Sequence, residues 1–184
     1  MRKIVEYTLI SLDGVFENPQ SWGFMNFRDE AYLRDGLGLL LACDAMLMGR
    51  HTYESSARIW PSRSDPWAVR LNAMRKYVFS SKLSAAEWSN CTVVRGDPVS
   101  GVKKLKEQEG SDLLVFGHGL FGQTLLKEQV LDRIDLSIHP VIAGRGRLFF
   151  REGERAQLKL VATKRFSKMA LASSKYHWNP MVEW

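Results

Sequence analysis

Short apolar runs that stop at a turn residue and lead into helical patterns dominate this chain. Residues 45–48 form one such run, which stops at Gly49 before a helix predicted to open at Thr52 with Glu54 in its first turn. Residues 113–116 form a second run, and its wholly apolar character is typical of a strand buried on both faces. Such strands, alternating with helices, predict an α/β sheet covered by helices on both faces.

Other segments extend this alternation. A helix predicted after Asn26 places its leucines on one apolar stripe, and Asp97 with Pro98 forms a good start for a later helix. Residues 60–67 are interpreted as a polar loop. The further predicted strands comprise residues 3–10, 76–79, 91–94, 134–142 and a late hairpin of residues 158–166 and 169–178 around Ser167 and Lys168. The hairpin is expected to add antiparallel edge strands.

The composition suits one globular domain spanning residues 1–184, with 45% hydrophobic and 25% charged residues. No apolar run approaches the ~20 residues that a membrane-spanning helix needs, and the N-terminal residues have a strand pattern instead of a signal peptide. We therefore expect a cytoplasmic protein with no membrane partner. Cys43 and Cys91 show no paired spacing, which favours buried thiols over a disulfide or redox pair.

The formal net charge of +6 permits binding to nucleic acid, but the basic residues are spread along the chain and no nucleic-acid-binding motif is present. An anionic small molecule explains the charge equally well, so we expect a small-molecule ligand and no nucleic acid. A basic nucleic-acid-binding domain remains a third hypothesis that charge alone supports. The four histidines lack metal-ligand spacing, so no metal is expected.

The junction at Gly49 has the outline of an anion site. The first N–H groups of a helix have no partner within the helix, and the helix dipole favours negative charge there. Arg50 adds a fixed cation that suits a phosphate oxygen. The alternative is an ordinary strand-to-helix corner with a solvated arginine.

Residues 48–52, Met-Gly-Arg-His-Thr, resemble the cofactor-binding turn of dihydrofolate reductases and of the related reductase domain of riboflavin biosynthesis. Residues 11–14, Ser-Leu-Asp-Gly, and the later pattern of Pro140, a Gly-x-Gly turn and Leu148-Phe149 resemble the riboflavin branch more than the folate branch. The resemblance extends from Lys3 to about Trp178. It implies a dihydrofolate-reductase-like three-layer sandwich with a mostly parallel central sheet, a C-terminal antiparallel hairpin and a homodimeric assembly.

Residues 117–122, Gly-His-Gly-Leu-Phe-Gly, formally match G-x-G-x-x-G between a strand and a helix. A dinucleotide-binding Rossmann domain places this motif after its first strand, with an acidic residue at the end of the next strand. Here the motif follows the fifth predicted strand, so that interpretation fails. In dihydrofolate-reductase-like proteins a glycine pair after the fifth strand carries the pyrophosphate, although His118 stands where a small residue is usual.

The resemblance implies NADPH-dependent hydride transfer to a small polar heterocycle or a carbonyl-type acceptor, including 5-amino-6-(5-phosphoribosylamino)uracil. In the family a serine after the third strand reaches the adenosine ribose. The residues implied in cofactor binding are Gly49, Arg50, His51, Thr52, Ser80, Ser81, Gly117, His118, Gly119, Leu120, Phe121 and Gly122.

Candidate substrate contacts lie in the loop after the first strand and at the start of the first helix. They are Asp13, Phe16, Trp22 and Asp29. Folate reductases use an acid in the first helix, but the matching position here falls near Leu33. No catalytic residue is therefore assigned, and Asp13, Asp29 and water are the candidates for the proton source. This absence, together with His118, supports a second hypothesis of a nucleotide-binding or regulatory protein without catalysis. Arg145 or Arg147 is a candidate for a substrate phosphate, with solvated surface arginines as the alternative.

Overall fold

A computed structural model describes residues 1–151, 157–167 and 173–178 and contains one eight-stranded sheet. The strands are β1 (Ile4–Ser11), β2 (Cys43–Gly49), β3 (Arg75–Phe79), β4 (Cys91–Val94), β5 (Asp112–Phe116), β6 (Arg133–His139), β7 (Leu158–Lys164) and β8 (Ser173–Trp178). Their order across the sheet is β4-β3-β2-β5-β1-β6-β8-β7. The first six strands run parallel, and β8 is antiparallel to both β6 and β7. The predicted mostly parallel sheet with a late antiparallel hairpin is confirmed.

Five α-helices in the described part of the chain cover both faces of this sheet. They are α1 (Glu30–Ala42), α2 (Arg50–Ala57), α3 (Pro66–Ala73), α4 (Pro98–Glu107) and α5 (Gly119–Lys127). Side chains of α4 and α5 pack in one core cluster with Ile4 and Ile10 of β1. Side chains of α1, α2 and α3 pack in a second cluster with Tyr7 of the same strand. Alternate residues of β1 therefore enter opposite layers, as the pleat of a strand requires.

Two helix starts differ from the sequence predictions. The helix predicted to open at Thr52 begins at Arg50, because Gly49 is the extended N-cap residue with φ −82° and ψ 168°. The first long helix is capped by Asp29 and not by Asn26, since Asp29 Oδ1 accepts a hydrogen bond of 2.8 Å from the Tyr32 N–H. Asn26 lies instead in the 3-10 turn Phe24–Phe27.

Two other boundaries also needed correction. The predicted loop of residues 60–67 ends early, because Asp65 accepts from the Ala68 N–H and Pro66 takes the first position of α3. Strand β6 ends at His139 and excludes Pro140, which has no N–H to continue the ladder. Lys168 of the predicted hairpin turn lies outside the described residues.

The contact between α1 and α3 depends on Gly36. A Cβ on Gly36 would lie 2.2 Å from Cζ2 of Trp67, so only glycine allows the indole to pack against the helix. The indole also donates a 2.9 Å hydrogen bond to the Leu33 carbonyl oxygen. Among the described residues, no helix combines the length and the apolar character that crossing a membrane requires.

Candidate functional site

The main cavity lies at the carboxyl edge of the sheet and has a volume of about 660 Å³. Strands β2, β5 and β1 are neighbours and parallel, so the segments that follow them meet at this edge. The walls come from β1, the loop after it, the start of α1, helix α2, the loop before α3, and the turn between β5 and α5. The volume is within the range typical of small-molecule sites, about 300–1,000 Å³.

One wall of the main cavity is formed by Thr52 and the turn around His118. Gly117 and Gly119 have φ values of +71° and +58°, in the left-handed region that favours glycine. A Cβ on Gly117 would lie 3.4 Å from Thr52 Cγ2 and 3.6 Å from its Oγ1. A Cβ on Gly119 would lie 3.9 Å from the same hydroxyl. The structure therefore brings together two of the segments that the sequence analysis selected, and bare backbone lies beside the Thr52 hydroxyl.

His118 is held in this turn by a buried carboxylate. Its Nδ1 lies 2.5 Å from Oε1 of Glu6, and both side chains are fully buried. The Thr8 hydroxyl donates to the same oxygen at 3.0 Å. The imidazole stacks on Phe149 at 4.1 Å and meets the edge of Phe16 at 5.1 Å. The side chain thus anchors the glycine turn to β1 through a polar contact inside the core.

The remaining residues of the G-x-G-x-x-G motif do not line the main cavity. Leu120 is largely exposed, whereas Phe121 is buried and stacks on Phe79 at 4.8 Å. A Cβ on Gly122 would lie 2.7 Å from His118 Nδ1, so this glycine makes room for the buried imidazole. The third glycine of the motif therefore has a packing role in this protein.

Much of the remaining lining of the main cavity is aromatic. Its rings include Tyr7, Phe16, Tyr32, Trp60, Trp67 and Phe116. Tyr7 lies 6.3 Å from Trp67 and 6.5 Å from Phe116 between ring centroids. Several flat apolar surfaces with a few hydroxyl groups suit the binding of a planar ring.

Three arginines also line this cavity. Arg147 pairs with Glu17 at 2.9 Å and lies 5.4 Å from the Phe16 ring centroid, so it is tied to the cavity rim and is not simply solvated. Arg63 pairs with Asp65 at 2.8 Å and lies over Trp60. Arg28 lies 5.9 Å from the ring centroids of both Tyr32 and Trp67. The cavity therefore combines aromatic surfaces with positive charge.

Four further predicted cofactor residues do not line the main cavity, namely Gly49, Arg50, Ser80 and Ser81. Arg50 forms a 2.8 Å ion pair with Glu54 on its own helix and does not line the cavity, although its neighbours His51 and Thr52 do. Ser80 Oγ accepts from the N–H groups of the turn that follows it, at 3.1 and 3.0 Å, and Ser81 is exposed. Their roles in binding a cofactor remain predictions.

Of the four substrate residues predicted in the first loop and at the start of the first helix, the structure brings Phe16 to the main cavity, where Arg147 also lies. Asp13 binds the N–H groups of Ala143 and Gly144, and the hydrogen bond from the Ser11 hydroxyl is the main cause that lowers its pKa to about 2. Asp29 Oδ2, the oxygen that does not cap α1, accepts hydrogen bonds from the N–H and the hydroxyl of Ser167. The Trp22 indole donates to the Glu17 carbonyl oxygen at 3.1 Å.

Sequence analysis missed several residues that line this cavity, above all Tyr7 and Tyr32 on the face covered by α1. Tyr7 was counted as part of the alternating pattern of β1, and Tyr32 stands one residue before the position assigned to the acid of folate reductases. The sequence signal for this part of the cavity is one tyrosine on β1 and one on α1, two elements that meet at the carboxyl edge of the sheet. Trp60 and Trp67 lie at the two ends of the segment predicted as a polar loop, and no pattern in that segment marks them as cavity residues.

Comparison with known proteins gives a family match along nearly the whole chain. The family model described as the RibD C-terminal domain matches residues 2–172. The Bacillus subtilis protein YyaP is 28% identical over 188 residues, which cover 97% of this chain and 96% of that protein. YwjB from the same organism is 25% identical over 171 residues, covering 91% and 94% of the two chains. Both relatives are named as uncharacterized proteins.

Solved structures with low sequence identity share the fold. A Shewanella sp. PV-4 protein whose name places it in riboflavin biosynthesis has a TM-score of 0.74 at 19% identity, covering 96% of this chain and 99% of that one. A pyrimidine reductase-like protein of Corynebacterium diphtheriae has a TM-score of 0.70 at 12% identity, covering 97% and 92%. A Thermotoga maritima diaminohydroxyphosphoribosylaminopyrimidine deaminase/5-amino-6-(5-phosphoribosylamino)uracil reductase has a TM-score of 0.68 at 14% identity, with 97% of this chain matched to 57% of that one.

Proposed function

The chain belongs to the RibD C-terminal domain family, and we propose that it is an NADPH-dependent reductase acting on a small polar heterocycle or a carbonyl-type acceptor. The observation that carries this proposal is the presence, in one cavity, of a bare glycine turn beside Thr52 and of an aromatic wall. A reductase of this kind must hold a dinucleotide and a second ring in contact while it excludes water.

The glycine turn supports phosphate binding. The positive φ of Gly117 and Gly119 and the closeness of Thr52 leave space that a Cβ on Gly117 would fill, so backbone N–H groups and a hydroxyl can approach a phosphate oxygen. Thr52 itself lies in the first turn of α2, whose first N–H groups favour an anion. We expect Arg50 to add positive charge once it is released from Glu54, and Ser80 and Ser81 to lie near the adenosine ribose. When bound, NADPH supplies the hydride.

The aromatic wall and its arginines support an anionic planar acceptor. Tyr32, Trp67 and Phe116 offer flat surfaces, whereas Arg63 and Arg147 place guanidinium groups at the same cavity. The Thermotoga maritima protein that shares the fold is named as a 5-amino-6-(5-phosphoribosylamino)uracil reductase. This phosphorylated pyrimidine is therefore the first acceptor to test, with Arg147 and Arg63 as the candidates for its phosphate.

The test is NADPH consumption by the purified protein with this acceptor, with 7,8-dihydrofolate and with aromatic aldehydes in parallel. We expect acceptor-dependent oxidation of NADPH that is lost when Thr52→Val removes one hydroxyl. Thr92→Val is the matched control, since Thr92 is exposed on β4 and does not line the main cavity. Tight NADPH binding without turnover of any acceptor would favour a nucleotide-binding or regulatory protein, and no binding would overturn the proposal.

We further propose that the protein assembles as a homodimer. Strand β7 forms the edge of the sheet, and its adjacent residues Leu160 and Val161 are 54% and 48% exposed. Both residues lie where the ladder between β7 and β8 shifts register, between Leu160 and Ala162, so the exposed apolar groups stand at an irregular point of this edge. An apolar edge strand of this kind is a template for pairing with a second chain.

A further inference from the structure

Tyr7 and Tyr32 form a wall that two cavities share. Both rings line the main cavity, and both also line a small cavity of about 10 Å³ on their other side. The remaining walls of the small cavity include Asp35, Asp135 and Lys175. A polar cavity of this size has room for about one water molecule. The two phenols therefore lie between the main cavity and a site that suits a buried water.

A chain of hydrogen bonds leads to this tyrosine pair. The two phenol oxygens are 2.8 Å apart, and the Ser137 hydroxyl donates to Tyr32 Oη at 3.3 Å. Because Ser137 has a single hydroxyl hydrogen, its 3.4 Å contact with His139 Nε2 requires the imidazole to be the donor. Burial lowers the pKa of His139 to about 4, so the neutral ring with hydrogen on Nε2 fits this role at neutral pH.

The two hydrogen bonds of this chain that involve Tyr32 use only one of the two phenol hydrogens. Tyr32 Oη accepts from Ser137, so its own hydrogen is available for the bond to Tyr7. The Tyr7 hydrogen is then free to bind a ligand in the main cavity. If Tyr7 donates to Tyr32 instead, the Tyr32 hydrogen is the one left over. Since both rings line that cavity, either orientation leaves one donor for a ligand there.

We propose that Tyr7 is the proton donor to the acceptor and that Tyr32 positions it, an assignment that rests on the proposed reductase function. The acceptor carbon of a C=N or C=O group gains the hydride from NADPH, and the π electron pair moves to nitrogen or oxygen. The Tyr7 O–H bond breaks as the new N–H or O–H bond forms. The resulting tyrosinate takes a proton from Tyr32, and Tyr32 is reprotonated from bulk solvent, so that each reduction consumes one hydride and one solvent proton.

The electrostatic surroundings suit this role. Burial raises the pKa of Tyr7 well above its ordinary value of 10 and also raises the pKa of Tyr32, so both phenols carry their protons at neutral pH. Arg28 acts in the opposite direction on both pKa values, and its guanidinium favours a short-lived tyrosinate. The other ionisable groups at the cavity have partners of their own, because Glu17 pairs with Arg147, His118 Nδ1 with Glu6, and His51 Nδ1 lies 3.8 Å from Glu54.

The test uses 4-nitrophenolate, a planar anion whose oxygen resembles the charge that develops on the acceptor. Its absorbance reports binding to the protein without any nucleotide or turnover. We compare the wild type with Tyr7→Phe and Tyr32→Phe, each of which removes one hydroxyl. Tyr77→Phe is the matched control, since Tyr77 lies on β3 and does not line the main cavity. The neutral ether 4-nitroanisole controls for simple ring packing.

We expect Tyr7→Phe to weaken 4-nitrophenolate binding by about tenfold or more, because it removes one hydrogen bond to a charged group. Tyr32→Phe should weaken it as well, Tyr77→Phe should not, and 4-nitroanisole should bind all four proteins alike. The assignment would be overturned if the wild type did not bind 4-nitrophenolate, or if Tyr7→Phe and Tyr32→Phe bound it as tightly as the wild type. Titration with NADPH separates the two claims, because tyrosine-dependent anion binding without nucleotide binding would refute only the reductase function.

Discussion

Gly122 lies so close to His118 that a Cβ at this position would stand 2.7 Å from the imidazole Nδ1 and 3.1 Å from Oε1 of Glu6. The closeness follows from the position of Gly122 in the first turn of α5, directly above the buried pair. The G-x-G-x-x-G motif resembles a phosphate-binding signature, but its last glycine is needed because a larger residue would collide with the buried imidazole. We therefore expect substitution of Gly122 to lower the stability of the protein, and substitution of Gly117 to lower its affinity for a ligand.

Gly122→Ala should destabilise the protein by about 1–3 kcal/mol, because the added methyl group crowds a buried polar pair that cannot move easily. Gly38→Ala is the matched control in a helix, since nothing lies within 4 Å of a Cβ at Gly38. That control should be neutral or stabilise the helix by up to about 1 kcal/mol. Urea unfolding of both variants measures the difference, and equal stabilities would contradict this account of Gly122.

His118→Leu should cost about 3 kcal/mol of unfolding free energy, because it leaves the Glu6 carboxylate buried with only the Thr8 hydroxyl as a partner. The double variant Glu6→Leu with His118→Leu removes the charge as well and should recover part of this loss. The double-mutant cycle in urea unfolding gives the coupling between the two residues. A double variant less stable than His118→Leu alone would show that Glu6 stabilises the protein independently of His118, which would contradict this account.

The stability should fall as the pH decreases from about 6.5 to 4. Burial, assisted by Arg28, lowers the pKa of His139 to about 4 from its ordinary 6.5, so within this window the unfolded chain binds a proton that the folded chain does not. The full effect is about 3 kcal/mol at 1.36 kcal/mol per pKa unit. Urea unfolding across this range should give a slope that His139→Asn reduces and that His51→Gln, at an exposed site, leaves unchanged. An identical slope in His139→Asn would contradict the assignment.

Replacing either exposed apolar residue of β7 by lysine should produce a monomer. Leu160→Lys and Val161→Lys place charge on an edge strand, which blocks pairing with a second chain. Leu41→Lys is the control, since Leu41 is an exposed leucine near the end of α1. Light scattering after gel filtration should give a dimer for the wild type and the control. A wild-type monomer would refute the proposed assembly.

The succession of strands and helices was predictable because each buried strand is a short apolar run and most helices begin with a recognisable cap. Asp97 caps α4 as predicted, with a 2.8 Å bond to the Ser100 N–H. The first helix was misplaced because Asn26 and Asp29 are both good caps, and local sequence does not say which one the tertiary structure uses. The hydrogen bond from Ser167 to Asp29 comes from a residue 138 positions away, which no local pattern reports.

Within the candidate site, the sequence predicted mainly the residues whose backbone conformation requires glycine. Gly117 and Gly119 stand out in the sequence, because glycine in a strand-to-helix turn signals a positive φ. The roles of Tyr7 and Tyr32 depend instead on how β1, α1 and β6 pack together, and tyrosine is equally suited to an ordinary core. For the same reason, the ion pair that holds Arg50 on Glu54 was visible only in the folded chain.

The most direct test of the reductase account is the affinity for NADPH of Gly117→Ala compared with Gly144→Ala, measured by calorimetry. The two glycines have nearly identical φ values of +71° and +70°, so alanine strains the backbone equally at both. Only at Gly117 does the added Cβ meet Thr52, because nothing lies within 4 Å of a Cβ at Gly144. We predict that Gly117→Ala weakens NADPH binding by about tenfold or more, as expected for lost hydrogen bonds to a charged group, whereas Gly144→Ala binds like the wild type. Equal affinities in the two variants, or no binding of NADPH by the wild type, would contradict the account.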